Sequence, residues 1–384
     1  MKVRQVRVRG TPLAADLAPL AAIAPQLVLV FGAVQRMTTP GLFETLKDAF
    51  PEAELAGCTT AGEIGPGGVS DGELVINALR FGDSAVRVAL TDLAGMEDSR
   101  AAGQRLGLAL AAPDLVHVLL LGQGVQINGS ALVEGLAESL GPGVLLSGGL
   151  AGDGGAFERT WTLSNRGLSQ RQIVAIGFSG AQLRVGNGSF HGWRPFGPVR
   201  KVTRSADNVL FELDGQPALD IYKRYLGEYA KGLPASGLLF PFEMLGEDRG
   251  ALGLIRTILG VDESAGSLVL AGNIVEDGYL RLMHASTDSL VDGAMAAAEA
   301  AHDAAPGADP GESLVLLVSC VGRKLVMGAR VDEEVEAVQT VFGPKASIAG
   351  FYSNGEISPM RDLLTCHLHN QTMTVTHIAE AQRS

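Results

Sequence analysis

Short apolar runs alternate with amphipathic stretches along the chain, and this alternation predicts the elements. Residues 27–31, LVLVF, form an unbroken apolar run ended by Gly32, which predicts a buried strand. Residues 41–50 place Leu42, Leu46, Ala49 and Phe50 at helical spacing, so a helix is expected there. Residues 53–58 predict a second strand running into Cys58-Thr59-Thr60, followed by a long turn, Gly62-Glu63-Ile64-Gly65-Pro66-Gly67-Gly68. Residues 73–81 and 85–91 read as two adjacent strands. The order then returns. A helix near 98–112 precedes strand 115–121, which ends in Gly122. A helix near 129–140 precedes strand 143–147, which runs into Gly148-Gly149-Leu150-Ala151-Gly152-Asp153-Gly154.

The recurrence points to internal repeats. At an offset of 90, Gly32 falls on Gly122 and Ala61-Gly62-Glu63 on Ala151-Gly152-Asp153; at an offset of 293, Gly57 falls on Gly350 and Gly62-Glu63-Ile64 on Gly355-Glu356-Ile357. A fainter copy spans residues 268–278, so the unit is expected about four times. Each strand-helix-strand step needs a crossover and predicts parallel pairing. The pairs 73–81 with 85–91, and 159–164 with 172–179, are expected as antiparallel additions. The fold class expected is α/β to α+β, with mixed sheets, layered helices, internal pseudo-repeats and two related halves. The boundary is placed at the turn cluster Asp214-Gly215-Gln216-Pro217, ahead of a helical stretch at 218–231. That gives an N-terminal extension at 1–26 and domains at 27–215 and 216–384. Residues 303–312, DAAPGADPGE, read as a surface loop.

Composition narrows the function. The 384 residues carry 42 acidic and 30 basic side chains, a net charge of −12. That excess argues against a nucleic-acid partner and against attraction to anionic membranes. The N-terminus, MKVRQVRVRG, lacks an apolar h-region, and no apolar run reaches the ~20 residues of a spanning helix, so no membrane insertion is expected. Three cysteines cannot build a disulfide framework, which points to a reducing compartment and a cytoplasmic protein. There is no phosphate-binding Gly-x-x-x-x-Gly-Lys-Ser/Thr loop, no dinucleotide fingerprint after a strand, no His-Glu-x-x-His, no paired Cys-x-x-Cys and no Gly-x-Ser-x-Gly elbow. No cofactor or metal is predicted.

The candidate chemistry lies in loops at strand ends. In Gly57-Cys58-Thr59-Thr60-Ala61-Gly62-Glu63-Ile64 the glycines free backbone N–H groups, the hydroxyls add hydrogen bonds and Glu63 supplies a carboxylate. Gly350-Phe351-Tyr352-Ser353-Asn354-Gly355-Glu356-Ile357 repeats the design with an aromatic. Either Glu serves a ligand or caps its own turn. Ser319-Cys320-Val321-Gly322-Arg323 follows an apolar strand. Its Cys320 reads as a buried thiol rather than a nucleophile, and the planar fork of Arg323 suits a ligand carboxylate. His367 and His369 share a face but lack a third metal ligand, and His191-Gly192-Trp193-Arg194-Pro195 suits either a pocket wall or ordinary packing.

Six segments, in order, resemble the FIST family of paired sensory domains. They are Gly57–Glu63, Gly149–Asp153, His191–Pro195, Ser319–Arg323, Gly350–Ile357 and His369-Asn370-Gln371-Thr372. The likeness runs from about residue 27 to about 380, with 27–215 as the N-terminal and 216–384 as the C-terminal FIST domain. It implies a small-molecule-binding sensory protein in signal transduction, with an amino acid or small carboxylate as ligand. Family members are often joined to output domains, and this chain has no room for one, so a separate signalling protein is the expected partner. The ligand-binding set is Cys58, Thr59, Thr60, Glu63, Asp153, His191, Trp193, Cys320, Arg323, Tyr352, Asn354, Glu356, His369 and Asn370. If the first and last units pair, Glu63 and Glu356 share a cleft that takes an ammonium, with Arg323 or glycine amides on the carboxylate. An enzyme with Cys58 or Cys320 as nucleophile, and His369 or His191 as base, is the alternative from another class; a ligand-free adaptor is the third.

Overall fold

A computed structural model describes residues 1–275, 277–305, 311–359 and 366–381. Part of the expected loop at 303–312 lies outside the described residues. One sheet plan is used three times. In the first sheet Leu27–Gly32 and Glu54–Thr59 run parallel, with Leu74–Arg80 and then Lys2–Val8 added antiparallel. The second repeats this with Leu115–Gly122, Leu145–Leu150, Gln172–Ser179 and Ala85–Asp92. The third uses Ser313–Cys320, Ala346–Ser353, Met373–Glu380 and Leu183–Phe190. The mixed α/β class and the parallel strand-helix-strand steps are therefore as expected.

Each sheet is completed by a hairpin lent from another unit. The pair Thr162–Ser164 and Gly167–Ser169 leaves the second unit and joins Glu54–Thr59 of the first. The pair Gly355–Pro359 and Cys366–His369 leaves the third unit and joins the second. The pair Glu63–Gly65 and Gly68–Ser70 leaves the first and joins the third. The exchange is cyclic.

This corrects the two antiparallel additions. Leu74–Arg80 stays in the first sheet while Ala85–Asp92 opens the second, and Thr162–Ser164 and Gln172–Ser179 are likewise in different sheets. A hairpin and a step between sheets carry the same local signal, two apolar runs around a turn. The fourth copy is also corrected. Ser267–Leu270 pairs antiparallel with Val209–Leu213 and Ile258–Asp262, in an eight-stranded sheet formed within residues 194–284. That segment is a module inserted between Leu183–Phe190 and helix Thr287–Asp303, with its own core around Leu210, Tyr222, Leu268 and Leu280. The N-terminal half thus carries two of the sheets. The C-terminal half carries the third, apart from its edge strand Leu183–Phe190 and the lent hairpin, together with most of the module, and the halves are related through the repeated unit.

The three sheets face one another. Leu27, Leu29 and Phe31 point into a common core with Leu119, Leu121, Leu316, Val318 and Phe351, and the Phe31 and Phe351 ring centroids are 4.8 Å apart. The alternate residues point outward under helices. Val28 and Val30 lie against Leu17, Leu20, Leu42 and Leu46; Val118 and Leu120 against Ala102, Leu106, Leu132 and Leu136; Val315 and Leu317 against Ala294, Ala297, Val335 and Val338. Strands buried on both faces read as continuous apolar runs. The repeated glycine has a matching cause. A Cβ on Gly57, Gly148 or Gly350 would lie 1.9 Å from the carbonyl oxygen of Val30, Leu120 or Leu317 on the parallel neighbour. No helix among the described residues is long and apolar enough to cross a membrane.

Candidate ligand site

The loops singled out in the sequence meet one another. Ala61 N donates to Tyr352 O at 2.8 Å, Tyr352 N to Gly62 O at 2.8 Å, Gly152 N to Thr59 O at 2.8 Å and Asn354 N to Leu150 O at 3.1 Å. All three units therefore contribute to one main-chain junction. Strand pairing also fixes their equivalence. Ile64, Leu163 and Ile357 lie opposite Gly350, Gly57 and Gly148, so the positions before them, Glu63, Thr162 and Glu356, correspond. Asp153 is not the counterpart of Glu63, as the offset of 90 suggested. It caps a longer loop by accepting the N–H groups of Phe157, Glu158 and Arg159.

Glu63 and Glu356 are built alike. Glu63 accepts the Thr60 hydroxyl at 2.6 Å and the Glu73 N–H at 3.0 Å; Glu356 accepts the Ser353 hydroxyl at 2.6 Å and the Thr372 N–H at 3.2 Å. Both are fully buried, and burial raises Glu63 to about 7 and Glu356 to about 8. Each carboxyl is held inside its own loop. Thr59 ties the junction to the second unit, its hydroxyl accepting the Trp161 N–H at 3.0 Å.

Arg323 is spent elsewhere than on an exposed anion site. It is fully buried and bonds Glu334 through Nε at 3.2 Å and Nη2 at 2.8 Å. Its remaining donors reach His191 O at 2.6 Å and Leu290 O at 2.9 Å, which clamps the chain where it leaves for the inserted module and where it returns. Tyr352 donates to the other Glu334 oxygen at 2.6 Å, and Ser319 does so at 3.1 Å. Trp193 is buried with Nε1 on Gln371 O, and His191 Nδ1 accepts the Trp193 N–H. Cys58 and Cys320 are buried, and burial pushes both thiols up. His369 bonds Ser358 O through Nε2, and burial holds it down at about 4. Asn370 Oδ1 and Asn354 Oδ1 are buried with no hydrogen-bond partner among the described residues. No group of three or more His, Cys, Asp or Glu among those residues is placed to hold a metal.

A cleft of about 800 Å³ opens beside this junction, between the second unit and the inserted module. One wall is the loop from Gly124 to Gly129 beyond strand Leu115–Gly122, with Glu97, Phe157 and Glu158; the other is Asp207, Asn208, Leu259 and residues 269–273. Crevices beyond the carboxyl ends of strands are the usual ligand positions in α/β sheets. Asn354 reaches the edge of this wall, its Nδ2 lying 3.4 Å from Gly124 O. The module wall was missed by the sequence reading. Arg256, behind that wall, carried one signal, a single charge inside the apolar run Leu252–Gly260.

With this geometry in place, the comparisons define the class. A model of the FIST N domain matches residues 26–216, and one of the FIST C domain matches residues 218–359. FIST domains are sensory domains that bind small ligands in signalling. The chain belongs to the FIST family. The break between the two matches falls inside the inserted module, beside the bridge of Val209–Leu213 to Gln216–Pro217. The chain is also similar to Uncharacterized protein MJ1623 of Methanocaldococcus jannaschii, at 32% identity over 84 residues, 22% of this chain and 16% of that protein. The match thus spans about a sixth of that relative's length. A solved structure of "cyanuic acid hydrolase" from A. caulinodans aligns over 99% of each chain at 12% identity, with a TM-score of 0.39. At that score the likeness lends nothing to a functional argument.

Proposed function

We propose that this protein is a small-molecule sensor whose ligand sits in the cleft between the second unit and the inserted module. The observation that carries the reading is the cleft itself, about 800 Å³ and within the ~300–1,000 Å³ of small-molecule sites. Its two walls belong to separately cored parts of the chain, so a ligand touching both ties the module to the body. A separate signalling protein would read that change. An amino acid suits the lining better than a plain carboxylate, because Glu97, Glu158 and Asp207 line the cleft and, among the described residues, no Lys or Arg does. The thiol-enzyme reading has less support, since Cys58 and Cys320 are buried with their pKa values pushed up. The three cysteines are unpaired, which favours the cytoplasm. The test is a thermal-shift screen of amino acids, amines and small carboxylates on the wild type and on Ala271→Trp, which fills the cleft wall. A ligand at 100 times its Kd adds about 2.7 kcal/mol. Stabilisation by some compound, lost in Ala271→Trp, is the expected result; stabilisation that survives the Trp places the ligand elsewhere.

A further inference from the structure

Arg256 and Arg323 are the two buried arginines among the described residues, and they differ in one respect. Arg323 is neutralised by Glu334, whereas Arg256 forms no ion pair with any described residue. Arg256 Nε donates to Asn273 O at 3.1 Å, and Nη1 to Ile255 O and Leu368 O, each at 3.2 Å; Nη2 donates to no described residue. Carbonyl dipoles solvate a guanidinium only partly, and a buried cation without an anion is the costly arrangement. Burial pulls Arg256 down to about 10, which leaves it charged at neutral pH. The nearby His369 is held neutral, so it adds no second positive charge beside the guanidinium.

The position of Arg256 gives this imbalance a use. Gly272 and Asn273 form part of the cleft wall. A Cβ on Gly272 would lie 3.0 Å from Arg256 Nε and 3.1 Å from Cζ, and Asn273 accepts the Nε bond. The guanidinium therefore stands directly behind the wall, with only a glycine backbone between. Across the cleft stand Glu97 and Glu158, and Asp207 stands on the module wall itself, all three exposed. One side is positive from behind, the rim is negative, and Ile127, Leu259 and Leu270 add apolar surface.

We propose that Arg256 is the specificity-determining residue of the cleft: it draws the carboxylate of an α-amino acid to the Gly272 wall, while the rim carboxylates hold the ammonium. This rests on the cleft being the ligand site. The apolar lining makes L-leucine the probe, compared with L-leucinamide, which lacks the carboxylate, and 4-methylpentanoate, which lacks the ammonium. Calorimetric titration of the wild type is expected to show leucine binding at least tenfold tighter than either analogue. The acidic rim acting alone would favour leucinamide, so leucinamide binding as tightly as leucine overturns the proposal. Arg256→Lys should keep the leucine preference, and Arg256→Gln should lose at least tenfold for leucine and none for leucinamide. Unchanged leucine affinity in folded Arg256→Gln also overturns it. If Arg256→Gln does not fold, the wild-type order of the three probes decides. If none of the three binds, the role for Arg256 in amino-acid selection is wrong, while the cleft reading still stands or falls on the Ala271→Trp screen.

Discussion

Arg323 and Glu334 form an ion pair 2.8 Å apart with both side chains fully buried, eleven positions apart along the chain. The pair holds His191 O and Leu290 O, the two ends of the insertion, in one place. Removing one member of a buried pair strands the other charge, at a cost of about 3–5 kcal/mol. Glu334→Ala should lose that much in urea-unfolding measurements. Tyr352→Phe, which removes only a hydroxyl donor to Glu334, should lose about 1.5–3 kcal/mol.

The buried carboxyls predict a pH effect of unusual sign. Glu63 and Glu356 titrate at about 7 and about 8 when folded, against 4.5 ordinarily, because burial penalises their charged forms. The folded state therefore binds more protons than the unfolded state between about pH 4.5 and 8. The contribution of each group is complete below about 4.5 and is lost as pH rises through its folded value. Glu356→Gln removes this term and keeps the geometry, since an amide can donate to Ser353 while still accepting from Thr372. The unfolding free energy of Glu356→Gln relative to wild type should rise from pH 5 to 8 and then level off. A flat difference would mean the carboxyl is ionised throughout.

The thiols predict inertness. Cys58 sits in the common core and Cys320 lies at the end of strand Ser313–Cys320. Under native conditions at pH 7.5, neither should be alkylated by iodoacetamide on the timescale of minutes, and both should label once urea unfolds the chain. Peptide mass spectrometry reads each site separately. Rapid native labelling of Cys320 would revive a nucleophilic role.

The repeated glycines predict intolerance of a single methyl group. At Gly148 the added Cβ would lie 1.9 Å from Leu120 O, and φ of 138° is itself unfavourable for alanine. Overpacking costs about 1–3 kcal/mol where side chains can give way. Here the obstacle is backbone, so Gly148→Ala should cost at least about 3 kcal/mol by urea unfolding. Gly141→Ala, at a φ of 75° with nothing within 4 Å, is the control in which a positive φ is strained without a steric obstacle.

The sequence by itself determined the local units. Apolar strands such as Leu27–Gly32 were legible because residues buried on both faces leave no polar alternation. The loops ending at Glu63 and Glu356 were legible because each bonds its own loop hydroxyl three residues earlier, a purely local geometry. The tertiary structure alone decided which sheet each hairpin joins. Leu74–Arg80 and Ala85–Asp92 parted, and Ile64 crossed to Gly350, because those pairings depend on backbone hydrogen bonds between distant segments that leave no mark in a short window. It also decided the fate of the charges. Nothing local distinguishes Glu334 from its acidic neighbours Asp332, Glu333 and Glu336, or tells that Arg323 would find an anion while Arg256 would find none among the described residues. Burial of a charge is a property of what packs over it, and here that packing comes from an inserted module and a strand more than a hundred residues away, where Leu368 O meets Arg256.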